Sequence, residues 1–217
     1  MSDAMIELIL SSTLDTLYMV GISGLISALA GIPLGVLLYV TRPRQFLALP
    51  ILNHLLGVIT NIGRSIPFII LMVAIIPFTR MIVGSSIGLN AAVVPLTIAA
   101  IPFVARLVEG ALNEISPGLI EAAQSMGATP WQIIMKVLLP EARGGIITGL
   151  TITVVTLVSY SAMAGAVGGG GLGDLGIRYG YNRFEPTIML ITVAILVVMV
   201  QGFQSLGDYL VRRSDHK

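Results

Sequence analysis

Residues Gly144–Gly173 read GGIITGLTITVVTLVSYSAMAGAVGGGGLG, thirty positions without one Asp, Glu, Lys or Arg. A helix rises about 1.5 Å per residue, so this stretch can reach about 45 Å, well beyond a hydrocarbon core roughly 30 Å thick. It crosses a membrane once, with a loop to spare. Charge is expensive at the bilayer centre, so the gaps between charges mark further crossings. Residues 16–41, 81–105 and 186–207 are also uncharged and long enough. The stretch 65–79, SIPFIILMVAIIPFT, is apolar but too short alone. It needs extension back through Arg64 to about Leu55, with Arg64 snorkelling to an interface. The reading is an all-α integral membrane protein with five transmembrane helices.

Composition excludes the alternatives. Of 217 residues 55% are hydrophobic and 11% charged, against about 25% charged in ordinary soluble domains. Twelve basic and eleven acidic side chains cannot cover a soluble globule of this size. The net charge of +1 without basic runs gives no nucleic-acid footprint. There is no Cys, and His54 and His216 are too far apart in sequence to suggest a metal ligand set.

An odd number of spans puts the termini on opposite faces. With the N-terminus outside, the inner segments hold Arg42, Arg44, Arg64, Arg106, Lys136, Arg143, Arg212, Arg213 and Lys217, leaving Arg80, Arg178 and Arg183 outside. Nine against three obeys the positive-inside rule, so the C-terminus is expected in the cytoplasm. The first sixteen residues carry Asp3, Glu7 and Asp15 and no base, unlike a cleavable signal peptide, and the first span is expected to be retained.

Residues 106–143, between the third and fourth spans, form the longest polar insertion, cytoplasmic on this topology. Ser116-Pro117 suits a helix start, a hydroxyl cap before a proline with no N–H to leave unpaired. Gly127 suits a left-handed stop. Thr129-Pro130-Trp131-Gln132 opens a second helix with a capping box, and Pro140 is expected to close it. Helical spacing gathers Leu119, Ala122, Ala123 and Met126 on one side of the first helix and Glu121, Gln124 and Ser125 on the other. A loop that merely covers the bundle would explain the helices but not their spacing.

Glu121-Ala122-Ala123, three residues, Gly127, nine residues, Val137, one residue, then Leu139-Pro140 resembles the EAA loop of permease subunits of ATP-binding-cassette importers. The only departure is Val137 where that pattern has Ile. RSIPFIIL at Arg64–Leu71, IPFTR at Ile76–Arg80, VPLTIAAIPF at Val94–Phe103 and SYSAMAGAVGGGGLG at Ser159–Gly173 are similar to the methionine-importer permeases. The resemblance implies a type I ABC importer permease fold over residues 1–217 as one domain, with the ATPase-coupling loop at about 116–140. It implies a homodimer in the bacterial inner membrane, two cytoplasmic ATPase subunits and an extracytoplasmic substrate-binding protein. ATP and Mg would sit on the partner ATPase. This chain has only Lys136 and Lys217 as lysines, neither in a Walker A context, so it is not expected to be an enzyme or to bind a cofactor. Gly168–Gly171 lacks that lysine too and reads as a flexible turn ending the fourth span.

The substrate expected from the resemblance is methionine or a derivative, with another small amino acid as the alternative. An ion-coupled secondary transporter is a different class. It commonly carries an acidic residue in mid-membrane, and none of the eleven falls there. A channel or a structural membrane protein would leave the two capped helices unexplained. For the path, Tyr160, Ser161 and Met163 precede a Gly/Ala run in the fourth span. Tyr160 and Met163, three apart, share a helix face, and a flexible thioether there suits an apolar gate, whereas packing is the commoner role of Met. Thr148, Thr151, Thr153 and Thr156 are read as back-bonded to their own helix. Gly31/Gly35, Gly145/Gly149 and Gly165/Gly169 are spaced for close helix approach. Pro67 and Pro102 are read as structural kinks rather than hinges.

Overall fold

A computed structural model describes residues 3–214. Met1, Ser2, Asp215, His216 and Lys217 lie outside the described residues, and with them His216 and the inner-face assignment of Lys217. Every regular element among the described residues is helical, and there is no strand among them. Four helices are long and apolar enough to cross a membrane: α1 (Asp3–Val40), α5 (Leu89–Asn113), α9 (Arg143–Ala164, continuing as a π-helical turn over Gly165–Gly169) and α11 (Pro186–Ser214). Their outward side chains are Leu, Ile and Val, including Leu25, Leu29, Leu190 and Val198, as lipid contact requires.

The second span in chain order is broken. It comprises α2 (Pro50–Ser65), α3 (Phe68–Ala74) and α4 (Ile76–Val83), and α2 and α3 are bent by 101°. Sequence reading expects one rod from about Leu55 with a kink at Pro67. Instead Ile66 is extended, with ψ 123°, and Pro67 follows at φ −56°, ψ 134°. A proline disfavours the α region in the residue before it and donates no N–H, so the break falls at Ile66-Pro67. By contrast Pro95 and Pro102 lie inside an unbroken α5.

Helix α5 is the axis against which α1, α9 and α2 pack. A Cβ on Gly31 would lie 2.6 Å from Val104 Cβ, and one on Gly35 2.6 Å from the Ala105 carbonyl oxygen. Cβ atoms on Gly145 and Gly149 would lie 2.7 Å from Ala111 Cβ and 3.0 Å from Leu107 Cβ. The small residues let backbones touch, and dispersion contact replaces the hydrophobic drive that lipid cannot supply. One apolar cluster gathers Tyr39, Val108, Leu112, Ile133 and Leu138 at the loop end of the bundle, and another gathers Met19, Leu96, Leu157 and Val158 at mid-height.

The glycine run that follows α9 is an ordered reversal. Gly168, Gly170 and Gly171 have φ of 95°, 80° and 75°, which β-carbons resist. The Gly88 N–H donates to the Gly168 carbonyl at 3.0 Å, and the Leu172 N–H to Thr16 Oγ1 at 2.9 Å. The chain doubles back as α10 (Gly171–Leu175) so tightly that a Cβ on Gly173 would overlap the Ala162 carbonyl. A π-helical turn, Gly176–Tyr181, leads to α11. The helix of the fourth span thus ends at Gly169, and α1 already includes the residues from Asp3 ahead of the uncharged stretch that starts at residue 16.

Candidate functional site

The insertion between α5 and α9 starts later than charge spacing implies, because α5 runs to Asn113 and carries Arg106 and Glu109 within it. Glu109 is only 3% exposed. Its Oε1 accepts from Arg42 Nε at 3.0 Å and Nη2 at 2.6 Å, and its Oε2 from Arg106 Nη1 at 2.6 Å. Arg106 Nη2 also donates to Asn61 Oδ1 at 2.8 Å and the Gly57 carbonyl at 3.1 Å, while Arg42 Nη1 donates to Asn113. This carboxylate on α5 therefore holds Arg42, just past the end of α1, and Arg106, which in turn reaches α2, beneath the insertion. Sequence reading missed this triad. Arg42 and Glu109 are 67 positions apart, and an isolated sequence counts each as a loop charge.

The insertion itself consists of α6 (Pro117–Ser125), α7 (Pro130–Ile133), a π-helical turn over Ile134–Leu138 and α8 (Leu139–Glu141). The Thr129–Gln132 capping box is complete, with Thr129 Oγ1 accepting from the Gln132 N–H at 3.3 Å and Gln132 Oε1 from the Thr129 N–H at 2.9 Å. Gly127 has φ +77°, the left-handed stop its position requires. Ser116, however, makes no side-chain cap. Pro140 does not close the second helix either. It sits in the first turn of α8, where its missing N–H is tolerated.

The two faces of α6 also differ from the expected ones. Ile120 and Ala123 are buried against the bundle with Ile133 and Leu138, whereas Leu119, Ala122 and Met126 point away. Of the expected inward set only Ala123 is inside. The reason is the pull of Ile120, which the helical wheel left at the margin and which fits the cluster around Ile115 and Leu112. Glu121, Gln124 and Ser125 are exposed. With Met126 82% and Trp131 68% exposed beside them, the insertion presents a mixed apolar and acidic patch around the Gly127 turn. Val137 and Leu139 are half-buried beneath it and Pro140 is exposed.

In α9, Tyr160 stacks on Phe68, ring centroids 4.6 Å apart and planes 5° off parallel. It lines a cavity of about 160 Å³ between α2, α3, α5 and α9, together with Arg64, Phe103, Thr153 and Thr156. Met163, 46% exposed, lines a different space, an apolar groove of about 660 Å³ bounded by α9, α10 and α11 through Ala162, Leu172, Met189 and Val197. The two side chains therefore do not share a face. Three residues are 300° of helix, and the α10 reversal separates what that 60° offset leaves together. Ser161 is buried, its hydroxyl donating to the Val158 carbonyl at 2.8 Å. Thr148, Thr151, Thr153 and Thr156 each donate to the carbonyl four residues back.

Residues 31–216 match the family described as binding-protein-dependent transport system inner membrane component. "Probable D-methionine transport system permease protein MetI" of Vibrio cholerae is 62% identical over 211 residues, covering 97% of this chain and 94% of that one. The D-methionine transport system permease protein MetI of Yersinia pestis is 59% identical over 165 residues, 76% of each. An inward-facing structure of the MetNI methionine ABC transporter superposes with a TM-score of 0.98 at 54% identity, covering 100% of both chains. An amino acid ABC transporter crystallised with histidines shares the fold alone, TM-score 0.79 at 22% identity over 97% and 95% of the chains. This chain therefore belongs to the binding-protein-dependent transport system inner membrane components, as a transport subunit of type I ABC importer permease fold.

Proposed function

We propose that this chain, as a homodimer, forms the translocation path for methionine and its derivatives, and that two cytoplasmic ATPase subunits drive it while an extracytoplasmic binding protein delivers substrate. The single observation that carries this reading is the insertion between α5 and α9. It is anchored inward by Ile120, Ala123, Ile133 and Leu138 and open outward at Glu121, Met126 and Trp131. A short amphipathic helix so mounted suits a helix-in-groove contact with an ATPase. Glu121, Ala122 and Gly127 set the contact and its aim, Ala123 holds the first arm to the bundle, and Val137 and Leu139 seat the second arm, which runs on to the exposed Pro140. ATPase closure pushes on this arm, and the Arg42–Glu109–Arg106 triad passes the push to α1, α2 and α5. The path alternates in access, and no bond in the substrate is broken.

The nine-to-three basic asymmetry supports an N-terminus outside and a C-terminus in the cytoplasm, which puts the insertion on the ATPase side. Tyr160, Ser161 and Met163 are assigned to the path and its gate. Met163 offers a flexible, exposed thioether, Tyr160 a stacked ring, and Ser161 the buried turn that orients both. Methionine as substrate is supported by the names of the relatives, and another small amino acid is the alternative. The test is ATP-dependent uptake by the reconstituted complex across an amino-acid panel. Methionine should be taken up best, and uptake of a different amino acid with exclusion of methionine would overturn the substrate reading.

A further inference from the structure

Arg64 stands apart among the charges of the spans. Arg42 and Arg106 are satisfied by Glu109, and Arg178 by Asp174. Among the described residues Arg64 has neither a carboxylate nor a hydrogen-bond partner. Its guanidinium carbon lies 6.0 Å from the centre of the Phe103 ring. Phe103 is three residues from Arg106 on α5, and Arg64 is three residues from Asn61 on α2, which Arg106 reaches. The exposed guanidinium therefore lies one helix turn, about 5 Å, farther from the insertion than the Arg42–Glu109–Arg106 triad. A charge within a spanning segment is costly against lipid, and facing a water-filled path is the usual solution.

Its neighbours are chosen for an organic anion rather than a simple counter-ion. Phe103 lies under the guanidinium, and the parallel Phe68–Tyr160 stack walls the cavity. Thr156 gives its hydroxyl proton to the Ile152 carbonyl, and Thr153 gives its own to Gly149, so both oxygens keep lone pairs for an ammonium donor. A guanidinium fork matches a carboxylate, hydroxyl lone pairs match an ammonium, and aromatic faces favour an aliphatic or thioether side chain. The cavity of about 160 Å³ is smaller than usual ligand pockets of about 300 Å³ and more, so in one protomer it holds the charged end of a ligand.

We propose that Arg64, with Phe103, Tyr160, Thr153 and Thr156, forms a binding site on the translocation path for the carboxylate end of a zwitterionic amino acid with an apolar side chain. This rests on the amino-acid importer reading and adds to it a substrate contact within the permease itself.

The test uses the absence of cysteine from the chain. In the permease–ATPase complex in a bilayer, without binding protein, Thr156→Cys is labelled by a small water-soluble thiol reagent and the permease chain is read by mass. Methionine should slow labelling. Methioninol, which lacks the carboxylate, should need about tenfold to a hundredfold more for the same protection, the range of one charge-assisted hydrogen bond. Arg64→Gln should abolish the difference between the two, and Arg64→Lys should retain part of it. Equal protection by both compounds, or protection unchanged by Arg64→Gln, would overturn the site. The analogue comparison needs no change at Arg64, so it decides even where Arg64→Gln fails to assemble. Uptake by the same complex is measured in parallel. If it carries another amino acid and not methionine, the substrate reading fails, and labelling with that amino acid and its alcohol still decides the site.

Discussion

Replacing Glu109 by Gln keeps the volume and removes the charge on which three helices converge. Wild-type Glu109 accepts three hydrogen bonds of 2.6–3.0 Å from two guanidinium groups. At an effective dielectric near 20, each ion pair at about 4 Å is worth about 4 kcal/mol before desolvation. Loss of the carboxylate removes two such attractions and unmasks repulsion between Arg42 and Arg106. Both arginine side chains keep access to water, 34% and 23% exposed, which returns part of the loss. The net cost is about 3 kcal/mol, the lower end of the range for breaking a buried pair. For a chain of this size that corresponds to a midpoint about 6–12 °C lower. The assay is retention of a monodisperse permease–ATPase complex in detergent after stepwise heating. Arg42→Gln should cost less, because Arg106 still neutralises Glu109, and adding it to Glu109→Gln should cost less than the sum of the two. A shift below about 2 °C for Glu109→Gln would refute the triad as a structural tie.

Three further outcomes are expected. Gly127→Val meets no atom within 4 Å, so its effect is backbone strain of about 1–3 kcal/mol at φ +77°, and it should abolish ATP-dependent uptake while the chain still inserts. Met163→Cys should be labelled by a water-soluble thiol reagent in a manner that changes between resting and nucleotide-trapped states, and an inert thiol in a transporting complex would return Met163 to lipid or packing. A periplasmic-active reporter should work when fused after Ser85 and fail when fused after Lys217, and the reverse pattern would invert the topology.

The spans were legible because charge and lipid exclude each other over distances longer than a helix turn. The caps at Gly127 and Thr129–Gln132 were legible because their chemistry is local to four residues. The same ruler failed at Arg106 and Glu109. It treats each charge as alone, whereas a paired carboxylate between two guanidinium groups can sit inside the end of a span. The inward face of α6 was set by the cluster it meets rather than by its own periodicity, and a helix of nine residues offers too few turns to fix a face. The Tyr160 and Met163 environments were decided by the α10 reversal, which glycine spacing hints at without giving its direction.

The broken second span has a consequence for biosynthesis. Helix α2 carries Asn53, His54, Asn61 and Arg64 within sixteen residues, and α3 and α4 are seven and eight residues long. An arginine at the centre of a nascent helix costs the translocon about 2.5–3.5 kcal/mol, and each Leu or Ile returns only about 0.3–0.6, so no piece of this segment partitions strongly by itself. Asn53 ties its start to the Leu38 carbonyl and Thr41 Oγ1 at the end of α1, but most of its seating comes from Gly63 against Pro102 and from Arg106 reaching Asn61 and the Gly57 carbonyl, on a helix synthesised later. The ribosome therefore delivers α2–α4 before the helix that holds them, and their final seating waits for α5 to leave the exit tunnel and enter the bilayer.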